Sequence, residues 1–173
     1  MSSLPRARAR FRRAVRTAVI ALTASGGAGA ASASIAPPAG TTATEPRRTW
    51  PTREGWHTIR DFRFGTGEVL PELRLRYLTL GTPRRGADGR VENAVLLLHG
   101  TGGDATSLLN PLFADQLFGP GQPLDVERYF VILPDDIGHG RSSKPSDGLR
   151  MRFPRYDYDD MVRSQHQMLV EGL

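Results

Sequence analysis

Two uninterrupted apolar runs, each leading into a glycine-rich polar loop, constrain this chain more than any other feature. The first is Ala94–Leu98 (AVLLL), followed by His99, Gly100, Thr101, Gly102 and Gly103. The second is Tyr129–Leu133 (YFVIL), followed by PDDIGHGRSS. Apolar runs without alternation are expected of strands covered on both faces, as in the parallel part of a sheet flanked by helices. Between them, Ala105–Phe118 places Leu108 with Leu112, and Leu109 with Phe113 and Leu117, at helical spacing. Pro111 inside that stretch predicts a helix that starts late or is kinked.

The residues before the first run follow a different period. Phe62 and Phe64 alternate with Arg63; after the turn signal Gly65-Thr66-Gly67, Leu73, Leu75 and Tyr77 alternate with Arg74 and Arg76. Two half-buried strands joined by a short loop make an antiparallel hairpin. Pro83–Gly89 reads as loop. Asp157–Leu173 carries Asp157, Asp159 and Asp160 at its start and apolar Val162, Leu169 and Leu173 further on, the pattern of a helix with dipole-compatible charge. A hairpin, then strand, helix, strand, loop and helix, predicts an α/β domain over residues 50–173, antiparallel at one edge and parallel within.

The N-terminal segment does not belong to that core. Residues 1–33 hold six arginines and no acid, then the apolar run TAVIALTA, then small residues ending Ala31-Ser32-Ala33. That order predicts a secretory signal peptide and export to the periplasm or beyond. The apolar run is much shorter than the ~20 residues of a membrane span, so no stable span is expected after cleavage. Arg12-Arg13 suggests the twin-arginine route, although its surroundings fit that motif loosely. Residues 34–49, rich in Pro, Ala and Thr, read as a flexible linker. The leader takes six of the 23 basic residues and none of the 18 acidic ones, so the overall +5 becomes a balance of 17 against 18. The basic character is therefore no argument for a nucleic-acid partner. The absence of cysteine excludes disulfides and thiolate metal sites.

Gly100-Thr101-Gly102-Gly103-Asp104-Ala105 matches G-x-G-x-x-A between a strand and a helix, the dinucleotide fingerprint. That chemistry wants an acid ~20 residues on, at the end of the next strand. Here the candidates, Asp135 and Asp136, come too late. A Walker A loop fails because no Lys-Ser or Lys-Thr follows the glycines.

Taken together, HGTGG after one apolar strand and D-x-G-H-G-R-S-S after the next resemble the α/β-hydrolase fold. LPELRLRYLTLGT, NAVLLLHGTGGDA and LFGPGQPLDVERYFVI, spanning about Phe62 to Phe130, look like its homoserine O-acetyltransferase branch. The resemblance implies that the first loop lends a backbone N–H, that of Thr101, to an oxyanion hole. His99, Gly100, Gly102 and Gly103 would support that loop, with His99 a structural residue and no base. Glycines suit the task because main chain without side chains can approach an acyl carbon. DxGHGRSS is closer to general hydrolases than to the acetyltransferases, and export separates the protein from cytoplasmic acetyl-CoA. Both favour an ester hydrolase acting on a small-molecule ester or acyl substrate, without cofactor.

No G-x-S-x-G occurs in these residues; Gly140-Arg141-Ser142-Ser143-Lys144 has lysine where the last glycine belongs. The family's order of nucleophile, acid and histidine puts all three beyond Leu173, so the expected architecture is the N-terminal part of the fold, cut before the nucleophile strand. The Ala94–Leu98 strand would then offer an apolar edge, and the polypeptide alone should be poorly soluble. Asp135, Asp136 and His139 could be drawn as metal ligands, but a turn after a strand needs polar residues anyway, and no metal is expected. Ser142 and Ser143 read as turn residues, and His57 and His166 as isolated surface or core-edge histidines. Three functional readings stand: an exported acyl-transfer enzyme represented by its N-terminal part, a truncated or degenerate product without catalysis, and, more distantly, a dinucleotide-binding module.

Overall fold

The computed structural model describes residues 48–173. The signal peptide read at 1–33 and the linker read at 34–49, except its last two residues, lie outside the described residues. Four strands form one mixed sheet in the order β1-β2-β4-β3, comprising β1 (Arg53–Arg63), β2 (Val69–Leu80), β3 (Ala94–Leu96) and β4 (Phe130–Pro134). β1 pairs antiparallel with β2, β2 antiparallel with β4, and β3 runs parallel to β4. Two helices, α1 (Pro111–Leu117) and α2 (Tyr158–Glu171), flank the sheet. No described helix is long and apolar enough to cross a membrane.

The hairpin forms as its alternation predicts, but β1 begins earlier, at Arg53. Its turn is tied down from a distance. The Gly65 amide donates to the buried Asp160 carboxylate at 2.9 Å, and Asp160 also belongs to the capping box with Asp157 that starts α2. β4 is the central strand. Its alternate side chains face two separate apolar clusters: Phe130 and Ile132 join Leu73, Leu75 and Met168, while Val131 and Leu133 join Leu78 and Phe118. This is the period-2 geometry of a strand covered on both faces.

The structure refines or corrects the sequence reading in four places. β3 is short, and its residues are half-buried or exposed, because β4 is its sole strand partner among the described residues. The helix in Ala105–Phe118 starts late, as Pro111 predicts: a 3-10 turn over Ala105–Leu109 precedes α1, which has Pro111 at its first turn. A proline tolerates that position because the N–H it lacks has no helical acceptor there. Leu112 consequently faces solvent. In α2 the buried positions are Asp160, Ser164, Gln165 and Met168, whereas Val162 is 62% exposed.

The fourth correction is Arg76, expected on the polar side of the hairpin but buried, at 6% exposure. Its guanidinium bonds Glu54 of β1 at 2.8 Å and the fully buried Asp135, just past β4, at 3.2 Å. A cation can stay inside because both its faces meet a carboxylate.

Candidate functional site

Asp135 is the anchor of the loops at the C-terminal end of the parallel pair. Beyond Arg76, its carboxylate accepts the Ala105 amide at 2.8 Å and the Arg141 amide at 2.7 Å. One buried side chain thus ties the loop after β3 to the loop after β4 and both to β2. Ser142, fully buried, donates to the Asp135 carbonyl and accepts the Arg76 amide; Ser143 accepts the Arg74 amide. These serines bolt the loop to the edge of β2 rather than merely making a turn. The glycines between Asp135 and these serines are sterically required. A Cβ on Gly140 (φ +51°) would lie 2.3 Å from the Asp135 carboxyl, and one on Gly138 (φ +84°) 2.0 Å from the Tyr156 hydroxyl.

The two loops open on a cleft of about 380 Å³ lined by His99, Thr101, Asp136, His139, Tyr156 and Met161, among others. It lies outside the carboxyl ends of β3 and β4, where open α/β sheets bind ligands. His99 is buried, its ring 5.1 Å from that of His139. Its Nε2 accepts the Asp136 amide at 3.3 Å and lies 3.7 Å from the Asp136 carboxylate. Burial pushes the Asp136 carboxyl above its ordinary range, opposed by His99, a hydrogen bond from the Gln165 amide, and His139. Burial, and then the Asp136 charge, raise the Tyr156 hydroxyl.

The glycine loop closes as a tight turn in which the Gly103 amide donates to the Gly100 carbonyl at 3.0 Å, with Gly102 at φ +82°. Positive φ at the third of four residues is the mark of a type II turn, which favours glycine there. Thr101 and Gly100 are exposed. Among the described residues, nothing accepts a hydrogen bond from the Thr101 N–H.

At the helical turn after the glycines, three amides that a phosphate would use are already occupied. Asp104 accepts the Thr106 and Ser107 amides at 2.8 and 3.0 Å, and Asp135 takes that of Ala105. The Thr106 hydroxyl and these amides hold the Asp104 carboxyl below its ordinary range, so it is charged at neutral pH. A pyrophosphate at this turn would meet two carboxylates, which removes the physical basis of the dinucleotide reading. Among the described residues no group of three acidic or histidine side chains is arranged to hold a metal ion.

A mixed sheet with its cleft at these strand ends has close parallels among solved structures. An acetylester hydrolase from Corynebacterium glutamicum superposes with a TM-score of 0.56 at 25% identity, over 68% of this chain and 32% of its own. This domain is part of an α/β-hydrolase fold. Sequence relatives of this α/β-hydrolase domain include acyltransferases. A homoserine O-acetyltransferase of Thermobifida fusca is 36% identical over 120 residues, covering 61% of this chain and 31% of the relative. A serine O-succinyltransferase of Emericella nidulans is 33% identical over 140 residues, covering 72% of this chain and 26% of the relative. The chain therefore spans about a third of the length of the curated relatives it matches. No protein-family model matches it.

All five loop residues singled out in the sequence, His99, Gly100, Thr101, Gly102 and Gly103, lie together at the cleft or on its rim. Asp135 as an anchor, Arg76 as its partner, and Tyr156 and Gln165 as neighbours of Asp136 went unrecognised. Their partners lie 29 to 59 residues away for the bonds Gln165–Asp136 and Arg76–Asp135. The one available signal was the pair of glycines flanking His139, whose steric reason appears only in three dimensions.

Proposed function

We propose that the chain supplies the oxyanion loop of an exported acyl-transfer α/β-hydrolase, an ester hydrolase acting on a small-molecule ester. The Thr101 N–H stabilises the oxyanion, and a serine nucleophile with its acid and histidine is supplied by sequence outside these 173 residues. The observation that carries the reading is the Thr101 amide. It has no acceptor among the described residues, sits at the rim of a cleft, and follows a parallel strand end. A preorganised donor of this kind gains its effect when negative charge develops on an acyl oxygen, and costs little reorganisation at that moment. The acyltransferase relatives and the acetylester hydrolase neighbour support acyl chemistry on small molecules.

The turn supplies a selective test. Thr101 occupies the second position of the type II turn, where proline is favoured, so Thr101→Pro removes the N–H while keeping the backbone shape. In the longest reading frame that carries this chain, hydrolysis of p-nitrophenyl acetate should lose about 10²–10³-fold in kcat on that substitution. Unchanged kcat would refute the oxyanion role. The second reading, a product without catalysis, is favoured by the lack of any G-x-S-x-G in these residues. The 173-residue chain alone should neither hydrolyse the ester nor take a fluorophosphonate label, and either result would show that a nucleophile is present after all. If the longest reading frame is equally inert, the reading without catalysis replaces the first. Export rests on the order of basic, apolar and small residues in 1–33; an N-terminal mass starting near Ser34 in exported protein would bear it out, and retention of the leader would refute it.

A further inference from the structure

The geometry points to a docking surface for an anionic lipid bilayer, formed by the loop from Pro145 to Tyr156 and centred on Met151. This surface is independent of the oxyanion reading: it stands whether or not the longest reading frame hydrolyses an ester. Met151 is 98% exposed and Leu149 36%, and the exposed Arg150, Arg152 and Arg155 alternate with or follow them. Apolar side chains at a tip flanked by arginines have the composition of an interfacial anchor. The apolar groups enter the acyl boundary while the guanidinium groups meet the phosphates.

The exposure of Met151 is built into the loop. Arg150 has φ +50°, in the left-handed region that a residue with a side chain adopts only under strain. The Arg152 amide donates to the Leu149 carbonyl at 2.9 Å and the Phe153 amide to the Arg150 carbonyl at 3.1 Å, which closes the turn. Beneath it Phe153 is buried, edge-on to Phe64 and to Tyr156. A packed base thus carries Met151 outward.

Charge points the same way. Outside residues 1–33 the chain is balanced, 17 basic residues against 18 acidic. Yet Arg150, Arg152 and Arg155 have no ion pair among the described residues. In the same loop Lys144 and Asp147 neutralise each other at 2.9 Å. Glu68 takes the Arg155 backbone amide and not its guanidinium. Arg150, Arg155 and Met151 also line a groove of about 710 Å³, so a phosphate entering it meets two cations. A nucleic acid would use the arginines and leave Met151 in water. An acidic protein segment would have to supply a pocket for a projecting side chain, whereas a bilayer supplies one anywhere on its surface. Tyr156 lines both this groove and the cleft beside His99, so docking sets the cleft next to the lipid.

The chain has no cysteine, so Met151→Cys can carry a polarity-sensitive fluorophore as its single label. The readout has to be local, because the six arginines of residues 1–33 would themselves carry the chain to anionic lipid. Vesicles of phosphatidylglycerol should shift the emission to the blue, and vesicles of phosphatidylcholine should not. The same label at Leu112→Cys, 91% exposed on a helix without basic residues, should stay in water with either lipid. Each arginine near an anionic surface contributes about a fivefold factor in binding. Replacing Arg150, Arg152 and Arg155 by glutamine should therefore raise the phosphatidylglycerol concentration at half-shift about 100-fold. High salt, which screens the arginines without altering the chain, should reverse the shift of the parent label. No shift at position 151, an equal shift with both lipids, or a shift that survives both the glutamine substitutions and salt would overturn the proposal. So would a blue shift that grows with protein concentration in the absence of lipid, since a second copy of the chain would then cover the tip.

Discussion

β3 and β4 lie side by side, run in the same direction and carry similar apolar sequences, yet the fold treats them differently. β4 has β2 on one side and β3 on the other, and all five of its residues are buried. β3 has β4 alone among the described residues, and Leu98 just beyond it is 47% exposed. The loops that follow differ in the same sense. After β4, Asp135, Ser142 and Ser143 are cross-bonded to β2. After β3, the Thr101 amide is left without an acceptor among the described residues. Burial is thus decided by the number of neighbouring strands rather than by apolar content, and the loop with a donor to spare is the one at the edge.

The largest effect is expected where the β4 side is bolted. Asp135→Ala leaves the buried Arg76 without one of its two carboxylates and orphans the Ala105 and Arg141 amides. Removing one partner of a buried ion pair costs about 3–5 kcal/mol, and urea unfolding of the chain should show a loss of that size. A loss below about 1 kcal/mol would mean that Arg76 is as well solvated as a surface ion pair, and the contrast between the loops would collapse.

A smaller effect compares the strands directly. Leu133 in β4 is fully buried, whereas Leu97 beyond β3 is half-buried. Leu133→Ala should cost about 2–5 kcal/mol, as large-to-small changes in packed cores do. Leu97→Ala should cost clearly less, because less of its surface leaves water on folding. Equal losses in urea titrations would show that β3 is covered in solution by something absent from the described sheet, such as a second copy of the chain.

The hairpin and the two apolar strands were legible because their signal is local: alternation over a few residues, or its absence. The glycine loop was legible for the same reason, since Gly100 to Gly103 are contiguous. Arg76 was not. Its charge placed it with Arg74 on the polar side, and only its distant partners Glu54 and Asp135, 22 and 59 residues away, make burial tolerable. In and just beyond α2, Leu169 and Leu173 pack against the core as their apolar character suggests, but three of the helix's four buried positions, Asp160, Ser164 and Gln165, are polar. Asp160 and Gln165 are covered because Gly65 and Asp136 supply partners, while Val162 and Val170, exposed at 62% and 68%, have no neighbour among the described residues to cover them. Polar residues inside the fold follow from tertiary partners that no window of sequence contains.

Asp136 gives a subtler way to probe the bolted side. Its raised carboxyl means that the folded chain holds this proton more tightly than the unfolded chain. Stability therefore falls as pH rises from the ordinary carboxylate range to the raised value, and the deficit is complete above it. Asp136→Asn keeps an oxygen for the Gln165 amide but has no proton to lose. Relative to the parent, the variant should gain stability between mildly acidic and neutral pH, read as a flattened slope of unfolding free energy against pH. A parent-like slope would assign the pH dependence to another group.

The smallest change in folding energy tests the open side. Leu98→Lys at a half-exposed position should alter stability by less than about 0.5 kcal/mol, yet it should change association. An apolar sheet edge invites pairing with another chain, and lysine on the edge is a common defence against it. The parent chain is expected to elute from a sizing column as self-associated species, and the lysine variant to shift toward monomer. Val162→Lys and Val170→Lys, on the exposed face of α2, serve as the comparison. Dispersal by those substitutions and not by Leu98→Lys would move the adhesive surface from the edge of the sheet to the helix, and burial at β3 would no longer be the feature that separates the two strands in solution.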